Sequence, residues 1–202
     1  MTGRHGVTSV RTVFPDFTPR PHIVAAAAAP HEELVAAAAD HLDAPVPCEG
    51  WTVRDLVEHM LTWTPVLAGA GRGAPPEPGA PKAEGDWPAV LHADREDLVA
   101  VWSDARSWTG TTTMTSTELP AAVVGTMTLC ELVLHAWDLG AALRVPVSWD
   151  EALLEEVHGA LQGLTPLGRG MGAFGPAVDV LPDAPLLDRV VALAGRDPAW
   201  TP

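Results

Sequence analysis

The sequence predicts a mainly α protein, an up-and-down four-helix bundle with additional short C-terminal helices. Three observations carry this. Apolar residues recur at helical spacing through Val53 to Ala68, the run Leu119 to Leu143 is apolar in almost every direction, and no stretch sustains the alternation of a strand. The 202 residues suit one domain, with 47% apolar and 19% charged residues on the globular side of composition. Residues 1–20 read as a flexible arm and 21–202 as one helical domain, irregular from about residue 163.

From Ile23 to Leu42 the alanine-rich sequence reads as a helix that Pro30 kinks or restarts. Pro45, Pro47 and Gly50 close it. Thr52 and Asp55 then have the spacing of a capping box ahead of Val53, Leu56, Val57, Met60 and Leu61, one face of an amphipathic helix. Gly69 to Asp86, dense in Gly and Pro, is expected as a surface connection outside the core. Leu91, Leu98, Val101, Trp102 and Ala105 mark a third helix, and Thr109 to Thr117 an extended segment or edge strand. A fourth helix is expected from about Leu119, with Pro120 in its first turn. Asp150 caps a fifth through Leu161, and a last short helix falls at Leu186 to Ala194.

The formal charge of −14, from 12 basic and 26 acidic residues, opposes nucleic acid and anionic lipid as partners. Two cysteines build no disulfide framework. The N-terminal stretch makes a poor secretory segment, and Glu131, His135 and Asp138 interrupt the longest apolar run. The expected location is the cytoplasm, with no membrane partner.

Those three interruptions hold the chemistry. On a helical wheel Glu131, His135 and Asp138 share an arc of about 60° on a helix otherwise buried all round. Three such groups need a counter-charge, hydrogen-bond partners or a metal. Glu131 and His135, at i and i+4, are spaced to share one ion, and His59, at the apolar edge of its own helix, is the best third ligand. Two His and one Glu leave a position for water or substrate, the pattern of a catalytic metal. A buried Glu–His ion pair accepted by Asp138 explains the arc equally well.

Other candidates are weaker. A di-iron centre needs E-x-x-H on two helices, and Glu155 to His158 offers one copy among solvent-type charges. Cys130 falls on the apolar side of the wheel. Cys48 precedes a helix but has no basic residue beside it in sequence. His5, His22, His31, His41 and His92 lie in the arm or among surface-type residues.

Two segments, Cys48 to Met60 and Glu131 to Leu139, resemble the paired signatures of the mycothiol-dependent maleylpyruvate isomerase metal-binding domain, within the DinB-like helical bundles. The closing Leu187 to Trp200 resembles an actinobacterial subgroup of metal-binding proteins. The resemblance spans about residues 22 to 200. It implies a DinB-like fold and a divalent ion, zinc first among them, on His59, Glu131 and His135, with Asp138 behind His135. It further implies a metal that ionises the thiol of a low-molecular-weight cofactor, mycothiol in actinobacteria, for attack on a small electrophile. The isomerase of that family carries a separate C-terminal domain with a catalytic basic residue, whereas here only Arg144 to Pro202 follow the fourth helix. Thiol transferase or isomerase, a non-catalytic metal-binding or regulatory module, and a structural polar arc are the readings carried forward. A homodimer is compatible with each.

Overall fold

The computed structural model describes residues 17–170 and 172–202. Most of the expected arm, residues 1–16, lies outside them.

A single 3-10 turn leads into α1 (Val24–Ala28) and α2 (His31–Ala38). Pro30 has no N–H to continue α1, and the helix restarts directly after it. The chain then turns into α3 (Val53–Gly71). Both halves of its capping box form, Asp55 N–H donating to Thr52 Oγ1 and Thr52 N–H to Asp55 Oδ2. Next come α4 (Trp87–Trp102), a hairpin of β1 (Thr111–Met114) and β2 (Thr117–Pro120), α5 (Ala121–Leu143), α6 (Glu151–Gly170) and α7 (Leu186–Leu193). The hairpin is antiparallel, in the register Thr111 with Pro120. Asp150 caps α6, accepting from Leu153 N–H at 2.7 Å.

The helical bundle stands as expected, but α2 ends at Ala38, short of the expected Leu42, and four further boundaries differ from the sequence reading for packing reasons. The Gly69–Asp86 segment does join the core: α3 continues to Gly71, Ala70 is buried, and Ala83 is buried where its N–H and Lys82 Nζ both reach Glu58. Ala105 lies beyond α4, in a 3-10 turn that ends on buried Trp108. Leu119 and Pro120 belong to β2, so α5 starts at Ala121 with Pro120 as its N-cap. Lastly, α6 passes Gly163, Pro166 and Gly168 and ends at Gly170. Those glycines are places of close approach, since the Phe17 ring sits on Gly163 and the Phe174 ring on Gly168.

By length and mean hydropathy α5 matches a membrane-spanning helix, yet 83% of the matching window is buried inside the bundle. It packs against α1, α2, α3 and α6. Two apolar clusters meet along it, one through Leu129, Leu132 and Val133 and one through Ala136 and Leu139. The polar arc predicted on this helix therefore falls where α3 and α5 face each other.

Candidate metal centre

Glu131, His135 and Asp138 project from α5 and His59 from α3. The folded chain brings a nitrogen of each histidine and an oxygen of Glu131 within 4.8 Å of one another. Glu131 Oε2 stands 2.9 Å from His135 Nε2 and 3.1 Å from His59 Nε2. The two imidazoles meet edge to face, with centroids 4.9 Å apart. Trp51 and Trp63 flank His59 at 5.3 and 6.4 Å.

Asp138 lies on the far side of His135 and is fully buried. Its Oδ2 accepts from His135 Nδ1 at 3.0 Å. That contact fixes the ring: the Nδ1 proton is committed to Asp138, and Nε2 is turned toward Glu131 and His59. Asp138 is in turn gripped by Arg196, whose Nε donates to Oδ1 at 3.2 Å and Nη2 to Oδ2 at 3.0 Å.

Sequence reasoning missed Arg196. A buried Asp138 called for a cation, and Arg196 lies in the closing segment already singled out for its resemblance, but nothing local linked the two. Gly195 makes the connection, with φ +87° and a Cα-side approach to Gly175 so close that a Cβ would come 2.9 Å from its Cα.

Burial alone would raise the Glu131 carboxyl, but His135 and His59 hold it well below the usual carboxylate range. Burial would lower His135; the Glu131 and Asp138 carboxylates outweigh that and push it up to about 9. Asp138 is kept at about 2, burial being outweighed by Arg196 and His135. The Glu131 side chain is still 37% exposed, so the cluster opens to solvent on that side while Asp138 is sealed.

Cys48 stands beside this network. Its thiol donates to Asp138 Oδ2 at 3.5 Å and receives Arg196 Nη2 at 3.7 Å. The basic neighbour absent from its sequence surroundings is supplied from the C-terminal segment. Burial and the Asp138 carboxylate nevertheless push the thiol up to about 12, so it stays protonated. Cys130 is buried, as expected of an apolar filler.

His31, expected among surface residues, is instead buried on α2, and its Nε2–H donates to the Leu132 carbonyl at 2.7 Å. The flanking alanines and glutamates disguise a position that faces α5. Glu156 pairs with Arg20 and His22 at the surface, in keeping with a solvent-type face for that part of α6.

The donor set fits a divalent ion. Two imidazoles and a carboxylate converge, one imidazole is oriented by a buried carboxylate, and one side remains accessible.

Comparison with known proteins bears on this cluster. Two uncharacterised proteins from two strains of Mycobacterium tuberculosis are 29% identical over 163 residues, which is 78% of this chain and 86% of theirs. The crystal structure of the mycothiol-dependent maleylpyruvate isomerase superposes with a TM-score of 0.52 at 17% identity, over 70% of this chain. A histidine-to-alanine mutant of that isomerase gives 0.50 at 15%. At such identities the likeness shows a shared fold, and this chain spans 65% of the isomerase. The family described as the mycothiol maleylpyruvate isomerase N-terminal domain matches residues 24–140, which include His59, Glu131, His135 and Asp138. That match covers more than half of the sequence, and the chain belongs to this family.

Proposed function

We propose that this protein binds one divalent metal ion through His59, Glu131 and His135, and that it is a mycothiol-dependent transferase or isomerase acting on a small electrophile in the cytoplasm. The observation that carries the reading is the convergence of three ligand atoms within 4.8 Å, beside an Asp138 that fixes which nitrogen His135 offers. When bound, the ion would supply a Lewis acid that ionises a coordinated thiol. Zinc suits two imidazoles and a carboxylate, although nickel, iron and manganese accept the same donors.

The protein's own groups have separable tasks. Asp138 holds the proton on His135 Nδ1, Arg196 keeps Asp138 ionised, and Trp51 and Trp63 confine the His59 ring. The exposed side of Glu131 is where thiol and electrophile would enter. Cys48, held as a thiol, leaves the nucleophile to a small molecule. Mycothiol is the thiol named for the isomerase of matching fold. That match covers 65% of the isomerase, which favours a second reading: a metal-binding or regulatory module without catalysis.

The test is thiol consumption by the zinc-loaded protein with a low-molecular-weight thiol and an activated alkene. The catalytic reading predicts turnover that chelator and His59→Ala both abolish. Metal-loaded protein with no turnover above the thiol's own reaction would leave the second reading.

A further inference from the structure

Arg196 reaches Asp138 from the turn that closes α7, and that turn decides where its side chain points. Gly195 takes the left-handed conformation at φ +87°. Its N–H donates to the Ala192 carbonyl at 3.0 Å, and the Arg196 N–H donates to the Val191 carbonyl at 3.0 Å. This pair of bonds is a Schellman turn, with Gly195 just past the helix and Arg196 following it.

The turn leaves the carbonyl of Leu193, the last residue of α7, without a helical partner. Arg169, in the last turn of α6, supplies one: its Nη2 donates to the Leu193 carbonyl at 2.6 Å and its Nε to the Gly175 carbonyl at 2.9 Å. Gly175 is also the residue against which Gly195 lies, where a Cβ on Gly195 would come 2.9 Å from its Cα. One guanidinium thus fixes both sides of the backbone contact from which Arg196 departs. Its fork holds two carbonyls in place and answers no carboxylate among the described residues.

We propose that Arg169 is a positioning residue for the metal centre. By fixing the close of α7 it holds Arg196 on Asp138, and so keeps His135 with Nδ1 bonded to Asp138 and Nε2 turned toward Glu131 and His59. The inference rests on the proposed function for the metal, whereas the orientation of His135 is a property of the chain alone. If Arg169 merely stabilised the end of α7, changing it would leave His135 unmoved. The sign of the effect on metal binding is also informative. Arg169→Met removes a positive charge, which by Coulomb's law alone can only favour a bound cation, while a displaced Arg196 and a misaligned His135 weaken binding.

Two quantities are measured on the full chain. The first, in metal-free protein, is the downfield proton resonance of His135 Nδ1–H, recognised by its absence in Asp138→Asn. The second is zinc affinity, by competition with a chelating dye. Arg169→Met should shift or broaden the resonance and lower zinc affinity about tenfold or more, the scale on which outer partners of a ligating histidine act. Arg169→Lys, which keeps the charge without the planar fork, should recover part of both. Gly195→Ala changes no charge and no donor but opposes the left-handed turn against Gly175, and it should reproduce the loss. Circular dichroism checks that each variant folds; should Arg169→Met fail to, Arg169→Lys and Gly195→Ala carry the same comparison. An unmoved His135 resonance in the folded variants overturns the proposal, and so does a zinc affinity that holds or rises when the wild type binds zinc. A wild type that binds no zinc, with a resonance that responds to Arg169, would sink the metal reading and leave the positioning of His135 standing.

Discussion

Asp138 has no contact with water and answers to two cations, Arg196 across the fold and His135 one turn back on α5. Removing Arg196 therefore leaves a sealed carboxylate with half its compensation. Arg196→Gln should lower stability by about 3–5 kcal/mol in chemical denaturation. Asp138→Asn instead removes the acceptor that fixes His135, and metal affinity should fall about 10–100-fold by calorimetric titration. An affinity unchanged in Asp138→Asn would contradict the orienting role. His31 gives the acid limb. Burial, partly offset by donation to Leu132, lowers it to about 4. Its ordinary value is 6.5, so the unfolded chain takes up the proton first as pH falls. Stability should fall by about 3 kcal/mol between the unfolded and folded values and not fall further on this account below the latter. His31→Gln should flatten that part of the stability–pH curve, and an unchanged slope would clear His31 of it.

Helix elements were legible where one physical signal dominated them. The capping box of α3 and the restart at Pro30 are local, and both stand as the sequence implied. Gly and Pro mislead in α6 because they also serve close packing, which depends on where Phe17 and Phe174 arrive. Gly125 makes the same point within α5. A Cβ there would come 2.6 Å from the Trp108 ring and 2.8 Å from Trp102, two rings in edge-to-face contact. Gly125→Ala should thus destabilise by about 1–3 kcal/mol in thermal or chemical melts despite alanine's better helix propensity. A stabilised variant would mean that the Trp102–Trp108 pair gives way freely.

Across the whole molecule, the buried length of α5 explains why the site was readable before the fold. Any ionisable group on a helix covered on nearly all sides must find a partner, so Glu131, His135 and Asp138 announced themselves. His59 followed from its place on the edge of an amphipathic helix. Arg196 did not, because what distinguishes it is a contact with a residue distant in sequence. The metal reading also has a global consequence. An ion that binds only the folded chain stabilises it by mass action, so chelator should lower the thermal midpoint of metal-loaded wild type and leave His59→Ala, His135→Ala unmoved.

The most direct test of the central claim is elemental analysis of protein purified without an affinity tag, after zinc loading and removal of free ion. The account predicts one zinc per wild-type chain and loss of that zinc in the His59→Ala, His135→Ala double variant. A wild type that retains no more zinc than the double variant would contradict it, leaving Glu131 as the ion-pair partner of His135 and His59.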